Sequence, residues 1–282
     1  MKLIFHGDDF GLTPGINRAI LQAYKHGLLT SASIIVNGEA ADVAMELAKN
    51  NPEMDIGVHL TLCDETPVLA SRDLSSLISN GSLLPSRQKV LQAVLFRKID
   101  YKQVESEWSA QIETCLDANI PISHIDSHQF LHLFPGLFPV CLRLATKYQI
   151  AYIRVANRDV ISFDAGVKRF FQWMCLRFWS NRFILPRLPS QIKCVPSIGF
   201  LKAGGRMSRN GFLNSIDKIR RKRSIRVIEV ILHPGIGDVY TRNKYQHWQY
   251  DWHNDLKLLL DPFLKEELVR RSVGLTSFKE QA

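Results

Sequence analysis

Acidic residues are missing from one long part of this chain. Between Ala165 and Ile216 there is no Asp or Glu, and extending the window to Arg226 collects fifteen Lys and Arg against Asp217 alone. The formal net charge of +9 is therefore concentrated there, and the remaining sequence is acidic on balance. A solvated basic face rarely avoids acids for so long, so the stretch points to a phosphate-bearing partner, either a nucleic acid or an anionic membrane surface. Cysteine is also scarce. Cys63, Cys115, Cys141, Cys175 and Cys194 are odd in number, scattered and without a CxxC pair. That excludes a disulfide framework and a cysteine-ligated zinc site, and it fits a reduced, cytoplasmic setting. Long apolar runs are absent too, none nearing the roughly 20 residues that span a bilayer. Asp8 and Asp9 come before the apolar region of an export signal could form. The expectation is a chain neither exported by a standard signal nor anchored by a transmembrane helix.

What is present is an alternation. Lys2 to His6 reads as a buried strand and Pro14 to His26 as a helix with Thr13 as its N-cap. Ser31 to Val36 and Met54 to Leu60 read as strands around a helix over Ala40 to Lys49. Further on, Val104 to Leu116 and Leu137 to Tyr148 are helical, while Ile122 to Ile125 and Ala151 to Val155 are strand-like. Arg226 to Leu232 is a strong strand, followed by a helical stretch around Asp255 to Arg271 and a last strand near Gly274 to Phe278. Strands alternating with helices predict a parallel sheet with helices outside it. No repeat is found. Leu62 to Lys89 and Asp164 to Arg209 fit the alternation poorly and read as insertions in a single domain covering residues 1–282.

Two α/β architectures suit this pattern, an open doubly wound sheet and a modified β/α (TIM-like) barrel. A dinucleotide-binding open sheet wants a glycine-rich turn after its first strand; here that turn carries Asp8 and Asp9. The polar candidates also fall at the C-terminal ends of several strands: Asp8 and Asp9, then His59, then His124 to His132, then His233. In a barrel those ends converge on one mouth, so the barrel is the reading adopted. Taken alone, Asp8-Asp9 reads better as a helix or turn cap, His59 as a hydrogen-bonded core histidine and His233 as a turn residue. His124, Asp126, His128 and His132 within nine residues exceed what a structural loop needs, and they point to metal binding. Asp with two His from separate strands is a standard oxygen-and-nitrogen set for a divalent ion with open positions.

These blocks carry a resemblance. Asp8-Asp9-Phe10-Gly11-Leu12-Thr13-Pro14-Gly15, Leu29-Thr30-Ser31-Ala32-Ser33 and Gly57-Val58-His59-Leu60-Thr61-Leu62 lead to Ser123-His124-Ile125-Asp126-Ser127-His128. His132-Leu133-Phe134-Pro135, His233-Pro234-Gly235 and Gly274-Leu275-Thr276-Ser277-Phe278 complete the set. In order and spacing the sequence resembles the YdjC-like carbohydrate deacetylases, which include the hopanoid-biosynthesis-associated HpnK group. The resemblance implies a modified β/α barrel and a hydrolase that removes an N-acyl group, typically acetyl, from an amino sugar. It implies one divalent metal, magnesium or zinc, on Asp9, His59 and His128. It makes Asp8 the base that takes a proton from the attacking water and His233 the acid for the departing amine. Three positions depart from the family pattern: His6-Gly7 before the acid pair, Phe130 where histidine is common, and Ala156 where proline is common. They weaken transfer of substrate identity without removing a ligand or base.

Within the second insertion, Lys168 to Phe183 interleaves cations with Phe170, Trp173, Met174 and Phe178 at helical spacing. One reading packs these aromatics on the barrel. The other lays a cationic aromatic helix on an anionic membrane, at the inner face of which the protein would be peripheral. Nucleic acid is the weaker partner, since no nucleic-acid module is recognisable. The substrate is then a lipid-linked amino sugar, against the alternatives of a free N-acetylated oligosaccharide or a non-catalytic lipid-binding barrel. Cleavage of a phosphoester instead would want a second metal whose ligands are not evident.

Overall fold

The computed structural model describes residues 1–155, 167–201, 204–221 and 225–281. Ala156 and the start of the second insertion lie outside them. Strand β1 (Lys2–Phe10) is buried from Leu3 onward and has neighbours on both sides, β2 (Ser31–Ile34) and β9 (Val227–Leu232). A strand covered on both faces reads as a continuous apolar run, which Leu3-Ile4-Phe5 supplies. Helix α1 (Pro14–His26) begins as the sequence predicts. Thr13 accepts from the Ile16 amide at 3.3 Å, and proline occupies the first turn, where its missing N–H costs nothing. Ile16, Ala19, Ile20 and Ala23 form its buried stripe. Gly11, at φ +100°, makes the turn between β1 and α1; a Cβ there would also lie 2.5 Å from the Ile35 carbonyl oxygen.

Helix α2 (Ala41–Lys49) leads to β3 (Asp55–Leu60), a β4–β5 hairpin (Ile78–Ser79, Ser82–Leu83), α3 (Arg87–Leu95) and α4 (Tyr101–Asp117). Then come β6 (His124–Ser127), α5 (Leu137–Lys147), β7 (Tyr152–Ile153), α6 (Val167–Trp179), β8 (Ser197–Ile198) and α7 (Arg209–Arg220) ahead of β9. Helices α8 (Val239–Tyr245), α9 (Trp252–Leu259) and α10 (Pro262–Arg270) precede β10 (Gly274–Leu275). The main sheet is all parallel and runs β7-β6-β3-β2-β1-β9-β8, with β10 pairing the start of β1.

Its two ends meet. Parallel bridges join Tyr152 to Lys193 and Val155 to Pro196, and residues 197–198 pair with β9. One extended segment, 193–198, therefore lies between β7 and β9 and closes the curled sheet into a modified TIM-like barrel. The Lys193 amide donates to the Ala151 carbonyl at 2.8 Å, and the Glu229 amide to that of Pro196 at 3.0 Å. This strand falls inside the stretch that the sequence pattern leaves as an insertion; Pro196 interrupts it and only Ser197-Ile198 follow before Gly199, too short a run to show a period. The helical stretch around 255–271 is two helices. Pro262 cannot continue α9, so it takes the first turn of α10, capped by Asp261, which accepts from the amides of Phe263 and Leu264.

Helix α6 divides the residues that its spacing groups together, exposing Met174 and Phe178 while turning Trp173 inward. Trp173 is 1% exposed and belongs to the core, whereas Phe171 and Phe178 are 60% and 66% exposed. No described helix is long and apolar enough to cross a membrane. Cys63, Cys115 and Cys141 are buried free thiols.

Candidate active site

The C-terminal ends of β1, β3, β6, β7 and β9 bring Asp8, Asp9, His59, Asp126, His128, Arg154 and His233 to one mouth. In a regular strand Asp8 and Asp9 would face opposite sides. The backbone at Asp9 is left-handed, with φ 67°, and the pairing of β1 with β2 shifts register between Gly7 and Phe10. This break in the pleat lets both carboxylates face the histidines. Gln129 and Phe130, at φ 55° and 58°, turn the chain sharply after His128 in the same way.

Asp9, His59 and His128 converge. Asp9 Oδ1 lies 3.4 Å from His59 Nε2 and 3.2 Å from His128 Nδ1, and one ligand atom from each residue falls within 4.8 Å of the others. His59 Nδ1 is held by Asp126 Oδ1 at 2.9 Å and lies 3.0 Å from the Ser33 hydroxyl, which turns Nε2 toward Asp9. That carboxylate–imidazole arrangement is the usual support of a metal-ligating histidine. Asp9 Oδ2 is buried without a hydrogen-bond partner, an orphan that a cation would satisfy. Two further clusters, His6–His124–Asp126 and Asp8–His59–Asp126, are close enough to hold an ion. Their atoms are already engaged: His6 Nε2 meets His124 Nε2 at 2.8 Å, and His124 Nδ1 meets the Ser123 hydroxyl at 2.7 Å.

The charge balance also fits a divalent ion. Burial would raise the Asp8 carboxyl, but the Arg154 guanidinium, with His6, holds it well below the usual range. Burial is likewise outweighed at Asp9 by His128 and at Asp126 by Arg154, and both carboxyls stay low. Burial instead raises Glu229 toward its neutral form. The low carboxyls of Asp8, Asp9 and Asp126 outnumber the one guanidinium, so the site is negative without a cation. His59 then takes up part of that charge: burial disfavours its proton, yet Asp126 and the other acids raise it to about 9.

Arg154 is the hub of the site. It is fully buried and donates from Nη1 and Nη2 to the two oxygens of Asp8, and from Nε to Glu229 at 2.7 Å. Its Nη1 also lies 2.6 Å from Asp126 Oδ2. His233 Nε2 stands 3.7 Å from Asp8 Oδ2. Burial lowers the His233 imidazole, so it is neutral near pH 7, and its Nδ1 is buried without a partner. The His233 amide donates to Asp255 at 3.0 Å, and burial pushes that carboxyl up to about 7.

The site residues expected from sequence all reach this mouth. His124 and His132 do not join the Asp9 cluster. His132 bridges the Ser127 hydroxyl and the Arg154 carbonyl, a structural post for the β6 and β7 ends. Arg154, Ser33 and Glu229 also belong to the site, although no motif singles them out. A lone cation within the apolar Ala151–Val155 run is the local signal for Arg154. An aromatic wall flanks the histidines. The Trp248 ring lies 4.8 Å from that of His128, and the Tyr250 ring 4.9 Å from that of His233. The density of aromatics from Tyr245 to Trp252 could have flagged it.

Comparison with known proteins finds several that this chain resembles. The profile of the family described as YdjC-like protein matches residues 2–270. A Brevibacillus brevis protein named carbohydrate deacetylase is 36% identical over 285 residues, covering 99% of each chain. Another of that name from Geobacillus stearothermophilus is 29% identical over 279 residues, covering 98% of this chain and 96% of its own. A carbohydrate deacetylase from Listeria monocytogenes is 41% identical over 165 residues, 58% of this chain and 64% of that one. The chain thus spans less than two thirds of the Listeria relatives it matches. A solved structure from Enterococcus faecalis, described as a cellobiose-phosphate cleavage protein, superposes with a TM-score of 0.77 at 25% identity. The match covers 100% of this chain and 98% of the other.

Proposed function

Because the chain belongs to the YdjC-like family, we propose that it is a metal-dependent hydrolase removing an N-acyl group, in the first place acetyl, from an amino sugar. The observation that carries this reading is the convergence of Asp9, His59 and His128 around an unsatisfied buried carboxylate oxygen, beside the separate Asp8–Arg154 pair. Asp9, His59 and His128 would hold one divalent ion, magnesium or zinc. When bound, such an ion polarises the acyl carbonyl and acidifies water.

The remaining roles belong to the chain itself. Arg154 keeps Asp8 ionised and fixes its orientation, so that it accepts the proton of the attacking water. His233 starts neutral, so the proton it gives to the departing amine is gained during the cycle, and Asp8 Oδ2 at 3.7 Å is a source within reach. Trp248 and Tyr250 wall the two histidines with apolar ring faces that suit a sugar.

The test is metal content together with acetate release from a panel of N-acetylated amino sugars, for the wild type and for Asp9→Ala, His59→Ala and His128→Ala. Loss of metal and turnover together is expected. Full metal occupancy in His59→Ala would overturn the ligand set.

A finer reading gives the sugar a lipid carrier and docks the protein on an anionic membrane. It is favoured over a free oligosaccharide by the acid-free stretch from 165 to 216 and by exposed Phe171, Met174 and Phe178 on α6. Vesicle co-sedimentation at low and high salt tests it, with Phe171→Ser, Phe178→Ser and Arg177→Glu combined as the control. Trp173 is left intact because it is a core residue.

A further inference from the structure

Helices α3 and α6 and the segment joining His132 to α5 enclose an open groove of about 600 Å³. Leu91, Leu133, Phe134, Phe171, Leu176 and Phe178 give it an almost wholly apolar wall, and no carboxylate lines it. Two polar atoms in that wall have no partner: the Trp179 indole Nε1 and Arg87 Nε are buried and unsatisfied. The groove shares a backbone element with the site. Leu133 ends the turn that His128 begins, so they are five positions apart, at most roughly 18 Å of extended chain. The α6 helix and the turn after it carry Arg177, Arg182 and Arg187 and no acid, a sign pattern complementary to the anionic surface from which an amphiphile would be drawn.

We propose that this groove is an alkyl-chain site that takes the apolar aglycone of the amino-sugar substrate while the sugar lies at the mouth beside His128. The proposal rests on the deacetylase reading above. An apolar cleft with few polar groups is the form a lipid-chain site takes. Each methylene transferred from water into the groove strengthens binding by about fourfold, so affinity should climb with chain length.

Cys175 gives a reporter inside the groove, since it lines the wall and is an exposed free thiol, while Cys63, Cys115 and Cys141 are buried. The probes are the methyl and octyl glycosides of N-acetylglucosamine, the octyl compound kept below its micelle concentration. Peptide mapping after maleimide treatment should show Cys175 protected at least tenfold by the octyl glycoside and not by the methyl one, with Cys194 as internal control. In the metal-loaded protein, KM for acetate release should be at least tenfold lower for octyl than for methyl. That ratio should collapse toward one in Phe171→Gln/Phe178→Gln.

Equal labelling of Cys175 with and without the octyl glycoside overturns the proposal, as does an octyl preference that survives in the double variant. Shielding of Cys175 that grows with protein concentration in the absence of ligand would assign the groove to a second copy of the chain and overturn it as well. Protection of Cys175 without acetate release from either glycoside would instead count against the deacetylase reading while keeping the alkyl site.

Discussion

Arg154 meets Asp8 fork to fork, each terminal nitrogen 2.8 Å from a different oxygen of the carboxylate. The same guanidinium reaches Asp126 and Glu229, so one side chain from the end of β7 ties together the ends of β1 and β6 and the middle of β9. Removing one partner of a buried ionic network leaves the others unpaired, which typically costs 3–5 kcal/mol, and here three carboxylates share the cation. Arg154→Met is therefore expected to lose about 3–5 kcal/mol of stability in urea denaturation. Arg154→Lys, which keeps the charge but cannot form the fork, should fall between. A Met variant unfolding at the wild-type midpoint would remove Arg154 from its place as hub.

The Asp8–Arg154 fork also occupies both oxygens of Asp8, which separates it from the Asp9 cluster. Asp8→Asn should accordingly keep its metal while turnover falls by about 10²–10⁴-fold, the usual contribution of a general base. Metal analysis and single-turnover acetate release on one preparation check this. Loss of metal with the substitution would mean that the two aspartates share the ion.

Asp126 acts through His59. Its Oδ1 fixes His59 Nδ1 at 2.9 Å and so aims Nε2 at Asp9. Asp126→Asn weakens that support and should lower metal affinity by about 10–100-fold, as loss of such supporting carboxylates does elsewhere. Competition with a chromophoric chelator reads this directly. Unchanged affinity would show that Ser33 and packing suffice to orient the ring.

Much of this was legible in the sequence, and the parts that were not share a cause. The Leu3-Ile4-Phe5 run, the Thr13-Pro14 start of α1 and the polar residues at strand ends are local signals, and each expectation matches the structure. The closing strand at 193–198 is held by pairing with β7 and β9 across long sequence separations, so no local period announces it. Trp173 illustrates the same limit. Helical spacing places it beside Met174 and Arg177, but only packing decides which face turns inward, and Trp173 is the buried one. In the site, the carboxylates and histidines stand out by type, whereas Arg154 is only a lone cation in an apolar run until the barrel brings three acids around it. The left-handed backbone at Asp9, which lets adjacent acids serve one mouth, has no signature in the residue itself.

His124 and His132, two of the buried histidines outside the Asp9 cluster, make stability depend on pH. Burial pushes the His132 imidazole down to about 4, against a weaker opposing pull from the Arg154 carbonyl, and His124 is held well below its ordinary value by burial and by His6. In the unfolded chain both would titrate near 6.5. Between pH of about 6.5 and about 4 these two rings therefore hold more protons in the unfolded state than in the folded one, and their contribution to stability falls as pH falls, opposed by the Asp255 carboxyl, which at about 7 takes up its proton in the fold over the same window. Above it the contribution of the neutral imidazoles is fully present; below about 4 His132 causes no further loss. For His132 alone the span corresponds to at most about 3 kcal/mol, from the difference between the two values. Urea titrations of the metal-free protein at pH 7.5, 6 and 5 keep acid release of a cation out of the comparison. His132→Gln, whose amide reaches the same carbonyl without titrating, should lose less stability between pH 7.5 and 5 than the wild type, from a lower starting stability. An equal change with pH in the two proteins would mean that the His132 ring accepts its proton inside the fold at no cost.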